Sequence, residues 1–151
     1  VKETSYALEI VHCGNPRLAV ETVKLAIENG ALDRLIIGND APTGSGVIPL
    51  GMLRMLNFLS SLTPLSPEQA ICMATGNAAR VFGLSRGEII PGKEADLVIM
   101  DNPVGSMGKN ALAALEVGDV PGVSMVLVDG DVKVIKSRNT APAATQASIV
   151  G

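Results

Sequence analysis

The sequence predicts an α/β fold in which a parallel βαβ unit and several short helices are followed by an antiparallel β layer. Three observations carry that expectation. Two apolar runs, residues 6–11 and 35–38, flank a stretch with helical periodicity; Ser66-Pro67-Glu68-Gln69 is a capping box; and Asp129-Gly130 separates two valine-rich runs.

The first run, Tyr6-Ala7-Leu8-Glu9-Ile10-Val11, reads as a strand and is closed by Gly14-Asn15-Pro16. Arg17, Glu21, Lys24 and Glu28 then fall on one helical face, with Val20, Val23 and Ile27 on another. Asn15 suits the N-cap and Pro16 the first helical position, and Asn29-Gly30 suits the end. Leu35-Ile36-Ile37-Gly38 follows as a short, fully buried strand, so the unit closes as a right-handed parallel crossover. The run ends in Asn39-Asp40-Ala41-Pro42. Asp40 at the strand end has two readings. It is a turn former that bonds its own backbone before Pro42, or it is a carboxylate where β/α folds place their chemistry.

Thr43-Gly44-Ser45-Gly46 lacks the Lys-Ser/Thr ending of a P-loop and reads as a mobile strand-to-helix connection, with Thr43 and Ser45 as solvated loop residues. Met52, Met55, Leu56 and Leu59 recur at helical spacing as core filling, with Pro49 near the helix start. The capping box at Ser66 starts a helix running to about Thr75. Asn77 then caps a shorter one from Ala78 to Phe82, stopped by Gly83. Cys72, between Ile71 and Met73, reads as core. From about residue 86 the chain changes character: turn chemistry over 87–96, a strand at 97–100, a small helix at 111–117, and strands at 123–128 and 132–136 joined at Asp129-Gly130. The expected division is 1–85, 86–138 and an irregular tail at 139–151.

Composition narrows the function classes. With 47% hydrophobic residues and a mean hydropathy of +0.36, the chain is rich in apolar surface for its 151 residues. It begins at Val1 and enters a strand almost at once, which suggests a C-terminal fragment whose apolar faces pack on further polypeptide. A net charge of −3, scattered Lys and Arg, and only Tyr6, Phe58 and Phe82 as aromatics make nucleic acid an unexpected partner. No apolar run is long enough to span a bilayer and no leader pattern is present, so no membrane partner is expected. Two separated cysteines, Cys13 and Cys72, make no disulfide framework and fit a cytoplasmic location.

Ala74-Thr75-Gly76-Asn77-Ala78-Ala79-Arg80-Val81-Phe82-Gly83-Leu84, followed by residues 87–98 (Gly-Glu-Ile-Ile-Pro-Gly-Lys-Glu-Ala-Asp-Leu-Val), resembles the C-terminal signature of the amidohydrolase superfamily of metal-dependent hydrolases. The spacing back to Asp40 and the Leu127-Val128-Asp129-Gly130 hairpin resemble it too, so the likeness covers nearly the whole chain. Cys13-Gly14-Asn15-Pro16, residues 38–42 and residues 48–51 look most like the members that open a cyclic enamide. The resemblance implies the C-terminal part of a TIM-like (β/α)8 barrel, followed by the C-terminal part of a small β-sandwich built from both ends of the polypeptide. Residues up to about 63 would be the last two βα units, and residues 66–83 the helices leaving the barrel.

Asp40 matches the superfamily's aspartate after the eighth barrel strand, which implies roles as metal ligand and as the catalytic proton carrier. The chemistry suits a carboxylate. A divalent ion lowers the pKa of bound water from about 16 toward about 7. A carboxylate touching both ion and water can take the proton and pass it to the departing nitrogen, without which an amide is a very poor leaving group. Zinc is the implied metal, with a zinc and iron pair as the other option, and the remaining ligands, a His-x-His pair and later Lys or Glu and His residues, would precede residue 1. Three or four ligands are needed, so the isolated chain is expected to be inactive. His12 closes the seventh strand, where the superfamily has no ligand, and is a candidate substrate-facing or packed residue. Cys13 beside it points to the opposite face, so the two form no ready dyad unless the turn at Gly14 rotates one of them. The implied partner is a small cyclic amide, with a homo-oligomeric assembly when the protein is complete. Two function classes stand: a hydrolase of a cyclic enamide or lactam, ahead of a deacetylase or deaminase, and a non-catalytic assembly module without a complete metal site.

Overall fold

The structure, a computed structural model, describes residues 3–11, 14–41 and 48–150. Its elements run β1 (Leu8–Ile10), α1 (Pro16–Glu28), a 3-10 turn (Leu32–Arg34), β2 (Leu35–Ile37), α2 (Gly51–Leu62), α3 (Pro67–Ala74), α4 (Gly76–Phe82), β3 (Leu97–Asp101), α5 (Ala111–Glu116), β4 (Gly122–Val128) and β5 (Asp131–Val134). Among the described residues they form two sheets, a parallel pair β1-β2 and an antiparallel β3-β4-β5. The α/β expectation holds at this level.

In the parallel pair Leu8 faces Leu35, Glu9 faces Ile36 and Ile10 faces Ile37. Both strands are shorter than the apolar runs that announce them. A strand exists only where its backbone finds a partner, and exposed Tyr6 lies outside the paired stretch. The helix between them is set by its caps: the Asn15 side chain accepts from the amides of Arg17 and Leu18, Pro16 takes the first position, and Asn29 closes the end before Gly30 at φ 61°. Its buried residues are Ala19, Val23 and Ala26, with Val20 and Ile27 flanking them half-buried.

Helices α2 and α3 cover one face of the pair. Val23, Leu35, Ile37, Met55, Leu59, Met73 and Leu115 form one apolar cluster, so the methionine stripe is core, with Met52 left at its edge. The capping box is complete: Ser66 Oγ accepts from the Gln69 amide at 3.3 Å, and Gln69 Oε1 accepts from the Ser66 amide at 2.9 Å. Two expectations fail here. Cys72 is exposed, because α3 buries Pro67, Ala70 and Met73 and turns position 72 outward. Asn77 is no cap: α4 starts earlier, with Thr75 before it, and Asn77 lies buried inside the helix.

In the second sheet β4 runs between β3 and β5, and the hairpin turns through Asp129 (φ 53°) and Gly130 (φ 82°), the left-handed pair that a two-residue turn requires. Arg86 fastens the segment leading into this sheet. It bonds Glu94, approaches Asp96 Oδ2 at 3.3 Å and Asp129 Oδ1 at 3.9 Å, and its pKa is raised chiefly by the Glu94 contact. The tail has no regular structure beyond one bridge, Pro103 to Ala143, yet it is bonded along its length. Val104 donates to Pro142, Ala144 donates to Asn102, and the Gln146 amide reaches the carbonyls of Ser124 and Ile135. Gly122 makes this path possible, since a Cβ there would meet the Ala143 backbone at 2.6 Å. No helix among the described residues is long and apolar enough to cross a membrane.

Candidate active site

Parallel β1 and β2 end on the same side, and the ladder continues one step past β2 where the Gly38 amide donates to the Ile10 carbonyl at 3.0 Å. The chain then turns, and the turn is made by Asn39. Its Oδ1 accepts from the Ala41 amide at 3.0 Å, the side-chain-to-backbone bond that marks an Asx turn. The Asn39 amide lies against Gly51, the first residue of α2, where a Cβ would collide with it. The strand end is thereby tied to the start of the next helix.

In this arrangement the turn-forming bond expected of Asp40 is not found among the described residues. Its neighbour has taken the turn-forming bond, and the Asp40 carboxylate is exposed and makes no hydrogen bond among the described residues. Asp40 also adopts φ 54°, a left-handed conformation that side chains other than those of Asn and Asp rarely tolerate.

The opposite end of β2 is pinned with equal care. Asn77 Nδ2 donates to the carbonyls of Leu32 and Leu35, both at 2.9 Å, and its Oδ1 accepts from Arg80 at 3.3 Å, while Arg80 also donates to the Asp33 carbonyl. The residues following Gly76 therefore fix where the strand begins, and with it how far its end projects. A polar residue between Gly76 and Ala78 reads locally as a cap; its partners 42 and 45 residues away are not visible from spacing.

Glu9 also went unremarked in the sequence. It lies on the face of β1 opposite Leu8 and Ile10, and its carboxylate occupies the space beside Gly38. A charge between apolar strand residues was the available signal. His12, Cys13, Thr43 and Ser45 lie outside the described residues.

A carboxylate with no partner among the described residues is a suitable ligand for a divalent ion, so Asp40 fits as one member of a metal set. The one group of three candidate ligands among the described residues, Glu94, Asp96 and Asp129, does not fit such a role. Arg86 already sits among those carboxylates, which are exposed and lie in the segment leading to β3 and in the β4–β5 turn.

Residues 3–133 match the amidohydrolase family. An enamidase from Eubacterium barkeri is 53% identical over 148 residues, covering 98% of this chain and 38% of that protein. An imidazolonepropionase from Aliivibrio salmonicida is 39% identical over 92 residues, 58% of this chain and 21% of that protein. Among solved structures, the enamidase crystal structure superposes with a TM-score of 0.95 over 98% of this chain and 38% of its own. A β-aspartyl dipeptidase from Fervidobacterium islandicum, 20% identical, superposes at 0.63 over 89% of this chain and 34% of its own, a likeness of fold alone. The matched stretches thus span between about a fifth and little more than a third of these relatives' lengths.

Proposed function

The chain belongs to the amidohydrolase family, and we propose that it is the C-terminal part of a metal-dependent hydrolase that opens a cyclic amide at its C–N bond. In this reading residues 1–85 are the last βα units of a (β/α)8 barrel with their exit helices, residues 86–138 are the C-terminal share of a β-sandwich, and 139–151 are its tail. The likeness to enamidase supports a cyclic enamide as substrate class and a carbon-nitrogen bond as the one broken. The observation that carries the role of Asp40 is its exposed carboxylate, without a partner among the described residues and presented beyond β2 while Asn39 makes the turn.

Asp40 would hold a divalent ion, zinc or a zinc and iron pair, together with ligands supplied by polypeptide preceding Val1. When bound, such an ion supplies a water that ionises near neutral pH and polarises the substrate carbonyl. The chain's own contribution follows from the geometry of a carboxylate. One oxygen is committed to binding and the other is free to accept a proton from the attacking water. Asp40 then returns that proton to the nitrogen as the C–N bond breaks, so that nitrogen leaves as a neutral amine or its enamine equivalent rather than as an anion. The left-handed backbone at 40 and the Asn39 turn orient the carboxylate before substrate arrives.

The test is the Asp40→Asn variant in the intact polypeptide. Asparagine keeps the shape and tolerates the same backbone conformation but accepts no proton. Turnover of a cyclic enamide is expected to fall by about 100- to 10,000-fold. Undiminished turnover would remove Asp40 from the chemistry.

A further inference from the structure

Glu9 is the ionisable side chain of an otherwise apolar strand pair. Leu8 and Ile10 pack with the helix-side core, so Glu9 between them points to the other face. Its register partner Ile36 is buried outside that core cluster, whereas Leu35 and Ile37 are within it. Gly38 lies two residues past Ile36 on the same face, and a Cβ at Gly38 would collide with Glu9 Oε1. The carboxylate therefore leans from the middle of β1 toward the C-terminal end of β2, filling the room that glycine leaves. It ends beside Gly38, two residues before Asp40 in the chain. It meets no hydrogen-bond donor among the described residues.

On the barrel reading this face is the interior, where an ionised carboxylate is stable only against a donor or a cation. An ionised carboxylate only accepts hydrogen bonds. A cyclic secondary amide brings one donor beside its reacting carbonyl, the ring N–H. We propose that Glu9 is a substrate-binding residue of the same site, accepting a hydrogen bond from the N–H of the cyclic amide whose ring opening Asp40 serves. This rests on the proposed function above. Gly38 is then a permissive position, small so that the Glu9 carboxylate can reach past it.

The experiment compares a dihydropyridone, a simple cyclic enamide, with its N-methyl derivative, using the intact polypeptide and the variants Glu9→Ala, Glu9→Gln and Gly38→Ala. The readout is the ratio of kcat/KM for the two compounds within each variant, which is independent of how much protein is folded. The wild type is expected to favour the N–H compound by about 10- to 100-fold, the worth of a hydrogen bond to a charged group. Glu9→Ala should bring the ratio near one, chiefly through KM. Glu9→Gln, which keeps an oxygen acceptor, should give an intermediate ratio. Gly38→Ala should lower the ratio with an intact Glu9, because the added methyl displaces only the end of a flexible side chain.

A ratio unchanged in Glu9→Ala and Gly38→Ala, with Asp40→Asn inactive, overturns the assignment of Glu9 and leaves the proposed function standing. That is the outcome expected if a cation from preceding polypeptide pairs with Glu9. Wild-type inactivity toward both compounds, or full activity of Asp40→Asn, overturns the proposed function and the Glu9 assignment with it.

Discussion

Asp40 holds a left-handed backbone that costs an ordinary side chain about 1 kcal/mol, whereas glycine pays nothing for it. The residue that would suit the backbone best is therefore not the one present. Stability and function can be separated on this point. Asp40→Gly should leave the stability of the intact protein within about 1 kcal/mol of wild type or raise it by that much, in urea denaturation, while abolishing turnover. A loss of 2 kcal/mol or more would mean that the carboxylate holds the fold together. The chemical character of Asp40 was legible in the sequence, since a carboxylate ending an apolar run is unusual. Its freedom was not, because that depends on Asn39 taking the turn bond at 3.0 Å, and Asn39 and Asp40 are equally good turn formers by residue type.

At the scale of elements, signals that act locally are legible in the sequence and those that act across the fold are not. Asn15, the Ser66-Gln69 box, Gly83 at φ 65° and the Asp129-Gly130 turn all act within a few residues of themselves, so spacing alone exposes them. Asn77 acts across the fold, which is why it was mistaken for a cap, and Cys72 was misplaced because its helix faces inward through Ala70 and Met73. The Asn77 clamp makes a quantitative expectation. Asn77→Ala leaves the buried Leu35 carbonyl without that partner and the Leu32 carbonyl with the Leu35 amide alone, a cost of about 1–3 kcal/mol. Hydrogen exchange should show the loss concentrated at the amides of β2, and a uniform loss of protection would argue that the clamp does not act on the strand.

Across the whole molecule, the tail, expected to be irregular, binds the second sheet through backbone groups that no periodicity reveals. Asp101 anchors it, accepting from the Thr145 amide at 3.1 Å and the Asn102 amide at 2.8 Å. Hydrogen bonding from Thr145, then from Asn102, holds the Asp101 carboxyl below its ordinary range. A depressed folded-state pKa contributes stability that is complete above the unfolded value, ~3.9, and is lost as pH falls from there through the folded value. The urea midpoint should therefore decline below about pH 4, and Asp101→Asn should flatten part of that decline; an identical profile would show that the tail is held otherwise. On the proposed reading, a strand end, a helix clamp and a turn converge at this same scale on the carboxylate that would bind the ion. An anomalous-difference map of the intact protein, collected at the zinc and iron edges, tests that most directly. The expected result is a peak about 2.0–2.2 Å from an Asp40 carboxylate oxygen; a fully occupied metal site whose ligands do not include Asp40 would contradict it.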